Sequence, residues 1–142
     1  MEKQVELIKG SSHIDHRGTL TFFNEFNIDP IKRFYVIEHH DTNMVRAWQG
    51  HKLERKWFYV MRGAFKVILV RPDDWGNPST DLPYEEFVLQ ADKNEILNIP
   101  SGFASGFQAM VAEAKLMIFT DFSVQESIAD DFRYDKNLWY KW

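Results

Sequence analysis

The chain has 142 residues, with 17 Lys and Arg against 21 Asp and Glu for a formal net charge of −4, and no cysteine. Its basic residues are scattered, which excludes a nucleic-acid footprint, and the missing thiols exclude disulfides, thiolate metal sites and cysteine nucleophiles. At this length one domain spanning residues 1–142 is expected, large enough to bury its own core.

The N-terminal ten residues carry Glu2, Lys3, Glu6 and Lys9 without the apolar stretch of a secretion signal, and the longest aliphatic run, Val67–Val70, is too short to cross a bilayer. A soluble, cytoplasmic protein with no membrane and no nucleic-acid partner is the expectation. Short runs rich in β-branched and aromatic residues follow in order: Val5–Ile8, Thr19–Phe23, Arg33–Glu38, Lys56–Met61, Ala64–Val70, Glu86–Leu89, Ile96–Ile99, Gly106–Val111 and Lys115–Phe122. Turn signals separate them at Asp15–Gly18, Asp29-Pro30, Asp41–Asn43, Arg62-Gly63, Arg71–Pro78 and Pro100–Gly102. Many short strands at this spacing predict an all-β sandwich or small barrel. Only Glu126–Phe132 reads as a short helix. The apolar end, Leu138–Trp142, predicts a segment folded back over the barrel or against a partner subunit. Twelve Phe and five Trp suit an aromatic core, or stacking on a base or sugar.

Between these runs, RAWQGHKLERK (Arg46–Lys56) places one histidine among cationic and amide side chains. If Gln49 through Trp57 continue one extended segment, Gln49, His51 and, past an intervening turn at Lys52–Arg55, Lys56 can point into the same cavity. The frame is Gln49-Gly-His51, four residues, Lys56, six residues, Gly63, and later Pro100-Ser-Gly102-Phe-Ala-Ser105. It resembles the cupin superfamily of double-stranded β-helix (jelly-roll) barrels, whose motifs place His-x-His, Glu and a later His at four metal-ligand positions. Here only His51 keeps a ligand, and a lysine at another ligand position adds positive charge beside any cation. No metal and no cofactor are therefore expected.

Within that superfamily the chain is similar to the nucleotide-sugar branch, the dTDP-4-dehydrorhamnose 3,5-epimerases and dTDP-4-keto-6-deoxyglucose 3,4-ketoisomerases. Asp15-His-Arg17-Gly18 resembles their Asp-x-Arg-Gly element. Arg46 followed by Gln49-Gly-His51-Lys52 resembles the ketoisomerase Arg-Gly-x-His-x-His-Lys. Lys56, seven residues before Gly63, falls at the epimerase's lysine, and Ile99–Phe107 is close to its Ile-Pro-x-Gly-Phe-Ala-His-Gly-Phe. The resemblance covers about residues 12–135. It departs where Gln49 replaces the first histidine, Ser105 the second, and Met117 stands near the epimerase's tyrosine.

What the resemblance implies is proton removal next to a ketone of a dTDP-linked 4-keto-6-deoxyhexose, in deoxysugar and surface-polysaccharide synthesis, by a homodimer. The intermediate enolate needs a base beside a cation. A neutral imidazole suits His51 to the first role, and a protonated amine suits Lys56 to the second. Arg17 and Arg46 are candidates for the diphosphate, with Arg17 reaching a neighbouring subunit. Gln49, Ser105, Tyr35 and Tyr59 are candidate cavity contacts. Each has a plainer reading as well: His51 a solvated turn residue, Lys56 a strand-edge charge, Arg17 and Arg46 surface ion pairs with Asp15 or Glu38, the tyrosines structural. A non-catalytic carbohydrate or nucleotide-sugar binding cupin is the competing function. The adjacent His39 and His40 point oppositely along a strand and do not chelate together, while His13 and His16 flank a turn and read as exposed.

Overall fold

The computed structural model describes residues 4–142, so Glu2 and Lys3 lie outside the described residues. The described residues form twelve strands and one short α-helix: β1 (Glu6–Lys9), β2 (Ser11–Asp15), β3 (Gly18–Phe22), β4 (Arg33–His39), β5 (Val45–His51), β6 (Lys56–Arg62), β7 (Ala64–Val70), β8 (Tyr84–Gln90), β9 (Glu95–Ile99), β10 (Phe103–Ala109), β11 (Ala114–Thr120), α1 (Val124–Ile128) and β12 (Phe132–Arg133). They build two five-stranded antiparallel sheets, ordered β1-β9-β6-β11-β4 and β12-β5-β10-β7-β8, plus a separate β2-β3 hairpin. From β4 onward the chain crosses between the two sheets at nearly every step, the winding of a jelly roll. The expected all-β architecture with a short C-terminal helix is what the chain adopts.

Alternation sorts the side chains. Phe58, opposite Ile118 and Leu97, and Val60, opposite Leu116, face inward with Phe65, Val67, Leu69 and Phe107 of the other sheet. Each such fully buried aliphatic or aromatic side chain contributes roughly 1.5–3 kcal/mol. One pairing further along the same inward row, Lys56 stands between Thr120 and Ile99, and Arg33 pairs with Thr120 from the far side. The barrel interior is thus apolar at one end and polar at the other. The polar end is where a ligand has partners.

The turns obey local chemistry. Gly63 (φ 78°) reverses β6 into β7, and Gly102 (φ 93°) reverses β9 into β10, a left-handed conformation in which a side chain is strained. Ser123 and Glu126 form a capping box that starts α1 two residues before the expected Glu126, and the helix ends at Ile128. The expected helix over Glu126–Phe132 is therefore corrected: Phe132 and Arg133 leave it to pair with Gly50 and Gln49 of β5. The turn expected within the extended segment from Gln49 to Trp57 is present. Bends interrupt the segment at Lys52–Arg55, because the Asp130 carboxylate accepts the N–H groups of Lys52 (2.8 Å), Leu53 (2.9 Å) and Glu54 (2.9 Å), and Asp121 accepts that of Arg55 (2.8 Å).

On the outer face of the second sheet, Ile68, Val70 and Ala104 pack with Trp48 and Trp139. The tail folds back here as expected, Trp139 lying edge-on to Trp48 at 5.2 Å and donating its indole N–H to the Ser79 carbonyl at 2.7 Å. Among the described residues no helix is long and apolar enough to cross a membrane.

Candidate functional site

A cavity of about 530 Å³ opens between β4 and β5, at the polar end of the barrel. Its wall takes Arg33 and Tyr35 from β4, Arg46 and Gln49 from β5, Lys56 from β6 and Ser105 from β10, and is closed by Ser127, Arg133 and Tyr134 of the C-terminal segment. Four of these side chains are cationic and none is a carboxylate. Such a wall attracts anions.

Lys56 is 6% exposed, and its Nζ donates to Tyr35 Oη at 3.1 Å and to Gln49 Oε1 at 3.2 Å. No carboxylate pairs with it among the described residues. A buried ammonium held only by neutral acceptors keeps its charge for something else, since burying a charge without a counter-ion is costly. Gln49 is fixed in turn by its amide N–H to Asp131 Oδ1 at 3.2 Å.

His51 is 4% exposed and stands behind this wall, outside the residues that line the cavity. Its Nδ1 lies 2.7 Å from the Asp130 carbonyl oxygen and 3.3 Å from Glu54 Oε1. Both are acceptors, so Nδ1 carries the proton and Nε2, buried without a partner, keeps the lone pair. Burial and the Lys56 charge push the His51 pKa below its ordinary value, against an opposing pull from Glu54. The ring is therefore neutral at neutral pH and has the form of a base. Glu54, 2% exposed, is itself fully engaged: Thr120 Oγ1 donates to it at 2.5 Å and Ser127 Oγ at 2.8 Å, with the Arg33 guanidinium 3.9 Å away.

Of the residues anticipated from the sequence, Tyr35, Arg46, Gln49, Lys56 and Ser105 meet at the cavity. Two do not. Tyr59 alternates with the inward Phe58 and Val60, so it points to the outer face, where Phe23 packs edge-on at 5.2 Å. Arg17 lies in the β2–β3 turn and pairs with Asp15 at 2.7 Å, the surface ion pair of the plainer reading. Arg46 avoids its suspected partner Glu38, which Arg62 holds at 2.7 Å. Met117 pairs with Tyr59 and Val36 on the outer face, so the position nearest the epimerase's tyrosine is turned away from the cavity as well as altered. His39 and His40 diverge as alternation requires, His39 inward and buried, His40 outward against Glu113 at 3.1 Å. His13 and His16 are exposed.

Arg33, Glu54, Ser127, Arg133 and Tyr134 were not anticipated. Arg33 carried a signal, because it lies two residues before Tyr35 on one strand and shares its face. The others come from a bend and from a segment whose pairing with β5 no local pattern announces.

The four positions that the motif resemblance aligns with metal ligands hold Gln49, His51, Lys56 and Ser105, a set with one imidazole, one amine and no carboxylate, which does not fit a divalent cation. A different cluster, Glu38, His40 and Glu113, brings its ligand atoms within 4.8 Å of one another, but on the exposed surface.

No protein-family model matches the chain, and no curated protein matches it. Solved structures do. The chain is similar to dTDP-4-dehydrorhamnose 3,5-epimerase from Bacillus anthracis, solved with TDP and pyrophosphate bound (TM-score 0.74, 23% identity, 97% of this chain and 84% of that one). It is similar to a sugar 3,4-ketoisomerase from Thermoanaerobacterium thermosaccharolyticum in complex with TDP (0.72, 24%, 94% and 90%). A TDP-quinovose 3,4-ketoisomerase from Campylobacter jejuni is similar too (0.68, 22%, 94% and 95%). The fold of this chain is thus the cupin jelly roll shared by dTDP-sugar epimerases and ketoisomerases.

Proposed function

We propose that the protein is a metal-independent isomerase of a dTDP-linked 4-keto-6-deoxyhexose, of the 3,5-epimerase or 3,4-ketoisomerase type, working in cytoplasmic deoxysugar synthesis. The observation that carries this reading is Lys56, a buried cation with two neutral partners in a carboxylate-free wall. A 4-keto sugar that loses an adjacent proton places negative charge on its carbonyl oxygen, and an ammonium already desolvated and fixed stabilises that charge without reorganising. His51 is the base, its free Nε2 lone pair set by the two acceptors at Nδ1. Nε2 is buried, so substrate has to uncover it before it can act. Arg46, with Arg33 and Arg133, holds the diphosphate. The dTDP-sugar epimerases and ketoisomerases among the similar structures support this substrate class.

The assembly in this reading is a homodimer. The outer face of the first sheet leaves Phe34 and Val36 exposed, and the β2–β3 hairpin leaves Leu20 exposed and Ile14 74% exposed, apolar side chains that a partner subunit would cover. Arg17 on that hairpin reaches the partner's cavity in this reading only by leaving its ion pair with Asp15.

Incubation with the keto-sugar nucleotide in deuterium oxide tests the chemistry. Solvent deuterium is expected at C3 or C5 from an epimerase and at C4 of the 3-keto product from a ketoisomerase; its absence from every such substrate rejects the enzyme. A second reading, binding without turnover, is favoured by the covered Nε2 and the outward Met117. It expects dTDP to raise the melting temperature while replacing His51 leaves affinity nearly intact.

A further inference from the structure

The cavity contains one arginine whose anchor the proposed reaction leaves unused. Arg46 Nε donates to His39 Nε2 at 3.1 Å, and no carboxylate pairs with Arg46 among the described residues. His39 ends β4 facing inward, 5% exposed, stacked on Phe107 (6.0 Å between ring centres, 26° between planes) and edge-on to Phe65 at 5.6 Å. Packing therefore fixes the ring. Since Nε2 accepts, it holds the lone pair and the proton sits on Nδ1, which is buried without a partner. An orphaned buried N–H is unfavourable, so packing alone argues for Leu or Phe at this place.

Binding supplies the reason that packing does not. An Asp or Glu here would anchor the guanidinium and cancel its charge. An apolar residue would spare the charge and free a long side chain, whose ordering then weakens every binding event. A neutral imidazole holds Nε and leaves both terminal nitrogens, with the full charge, for a ligand anion.

We infer that His39 is a positioning residue that aims Arg46 at the ligand's diphosphate, and that protonating His39 releases the arginine and weakens anion binding. The inference rests on the cavity being a nucleotide-sugar site. Two charged groups face the ring: Arg46 from β5 and Asp41 from the following bend. The remaining neighbours, Phe65 on β7, Phe107 on β10 and Ala114 on β11, carry no charge. Burial and Arg46 lower the His39 pKa and Asp41 opposes them, so the switch falls on the acid side of the ordinary 6.5.

Affinities for dTDP and for inorganic pyrophosphate are measured by calorimetry from about pH 5 to about pH 8 on the wild type, His39→Gln and His39→Leu. Glutamine keeps an acceptor for Arg46 and does not titrate; leucine offers none. The ligand's own phosphate titration is common to all three, so the difference between wild type and His39→Gln isolates the imidazole. The wild type should lose about tenfold more affinity than His39→Gln below that pKa, and His39→Leu should bind roughly tenfold more weakly throughout. In parallel, the Arg46 Nε–H resonance should move with His39 protonation in the wild type and stay still in His39→Gln. If His39→Leu binds like the wild type with the same pH dependence, the inference is overturned. Should the wild type bind neither probe at any pH while the Arg46 resonance still follows His39, the nucleotide-sugar reading fails instead, and the diphosphate role with it.

Discussion

Lys56 is the side chain on which the proposed chemistry turns, and its environment separates catalysis from stability. Replacing it with methionine removes a buried charge and leaves Tyr35 Oη and Gln49 Oε1 to each other. A charge without a counter-ion adds nothing to the fold, so Lys56→Met should melt no lower than the wild type while turnover falls about 100- to 1000-fold. Parallel melting curves and initial rates check this; a loss of stability as large as the loss of rate would make Lys56 structural. The same variant bears on His51. Its pKa is held down first by burial and next by Lys56, so removing the cation should move the His51 titration upward, toward the ordinary 6.5, as read by NMR of the ring. In the wild type, activity should rise with pH through a midpoint below 6.5, because only the neutral ring accepts a proton. The place of Lys56 in the cavity wall was legible from its spacing to Gly63, whereas the place of His51 behind that wall was not. Arg33 was legible only from its two-residue step to Tyr35, and His39 was readable as an inward strand residue but not as an anchor, since its partner lies across the barrel on β5.

The bend from Lys52 to Arg55 owes its shape to an element far along the chain. Asp130, just past α1, accepts three successive backbone N–H groups there, and its own carbonyl holds His51 Nδ1. Asp130→Ala strands the buried Glu54 donor and two part-buried ones, and a charge-assisted hydrogen bond is worth about 1.5–3 kcal/mol, so a stability loss on the order of 3 kcal/mol is expected in urea titration. The milder Ser123→Ala removes only the cap of α1 and should cost about 1 kcal/mol. Ser127 sits on that helix and binds Glu54, so the capping variant should also reduce activity slightly, whereas a cap without connection to the site would leave it untouched. Strands such as β6, β7 and β11 were legible because β-branched and aromatic residues dominate them. β2, β5 and β12 were not: SSHID, VRAWQGH and FR carry no apolar alternation, and their strand character comes from partners, β3 for the first, β10 and β12 for the second, β5 for the third. The helix was placed too late because Phe132 reads as its last apolar residue, although pairing with Gly50 removes it.

Across the molecule, two buried imidazoles tie folding to pH. His39 and His51 both have pKa values lowered below 6.5, so the unfolded chain binds their protons more readily than the native one. Their contribution is complete above pH 6.5 and disappears as pH falls below it, and the melting temperature should drop on acidification from about pH 7 to about pH 5. His40 is shifted the opposite way by Glu113, but it is exposed and water screens the pair, so it offsets little. The double variant His39→Gln, His51→Gln should flatten the profile. The apolar outer face of the first sheet, with Phe34 and Val36, predicts a dimer by light scattering, and Val36→Lys should shift it toward monomer. An all-β sandwich or barrel was legible from strand count and turn spacing, since every crossing between sheets needs a turn; the jelly-roll winding was implied only by the motif resemblance. The cavity's charge was only half legible, because Arg133 arrives on a strand added from the C-terminal segment. One feature of that segment extends to the bench: Trp48, which borders the cavity, contacts the rings of Trp139 and Trp142. Three of the five indoles thus share one patch beside the pocket, an optical reporter built into the barrel, and unlabelled protein should signal nucleotide entry by a change in its own ultraviolet emission.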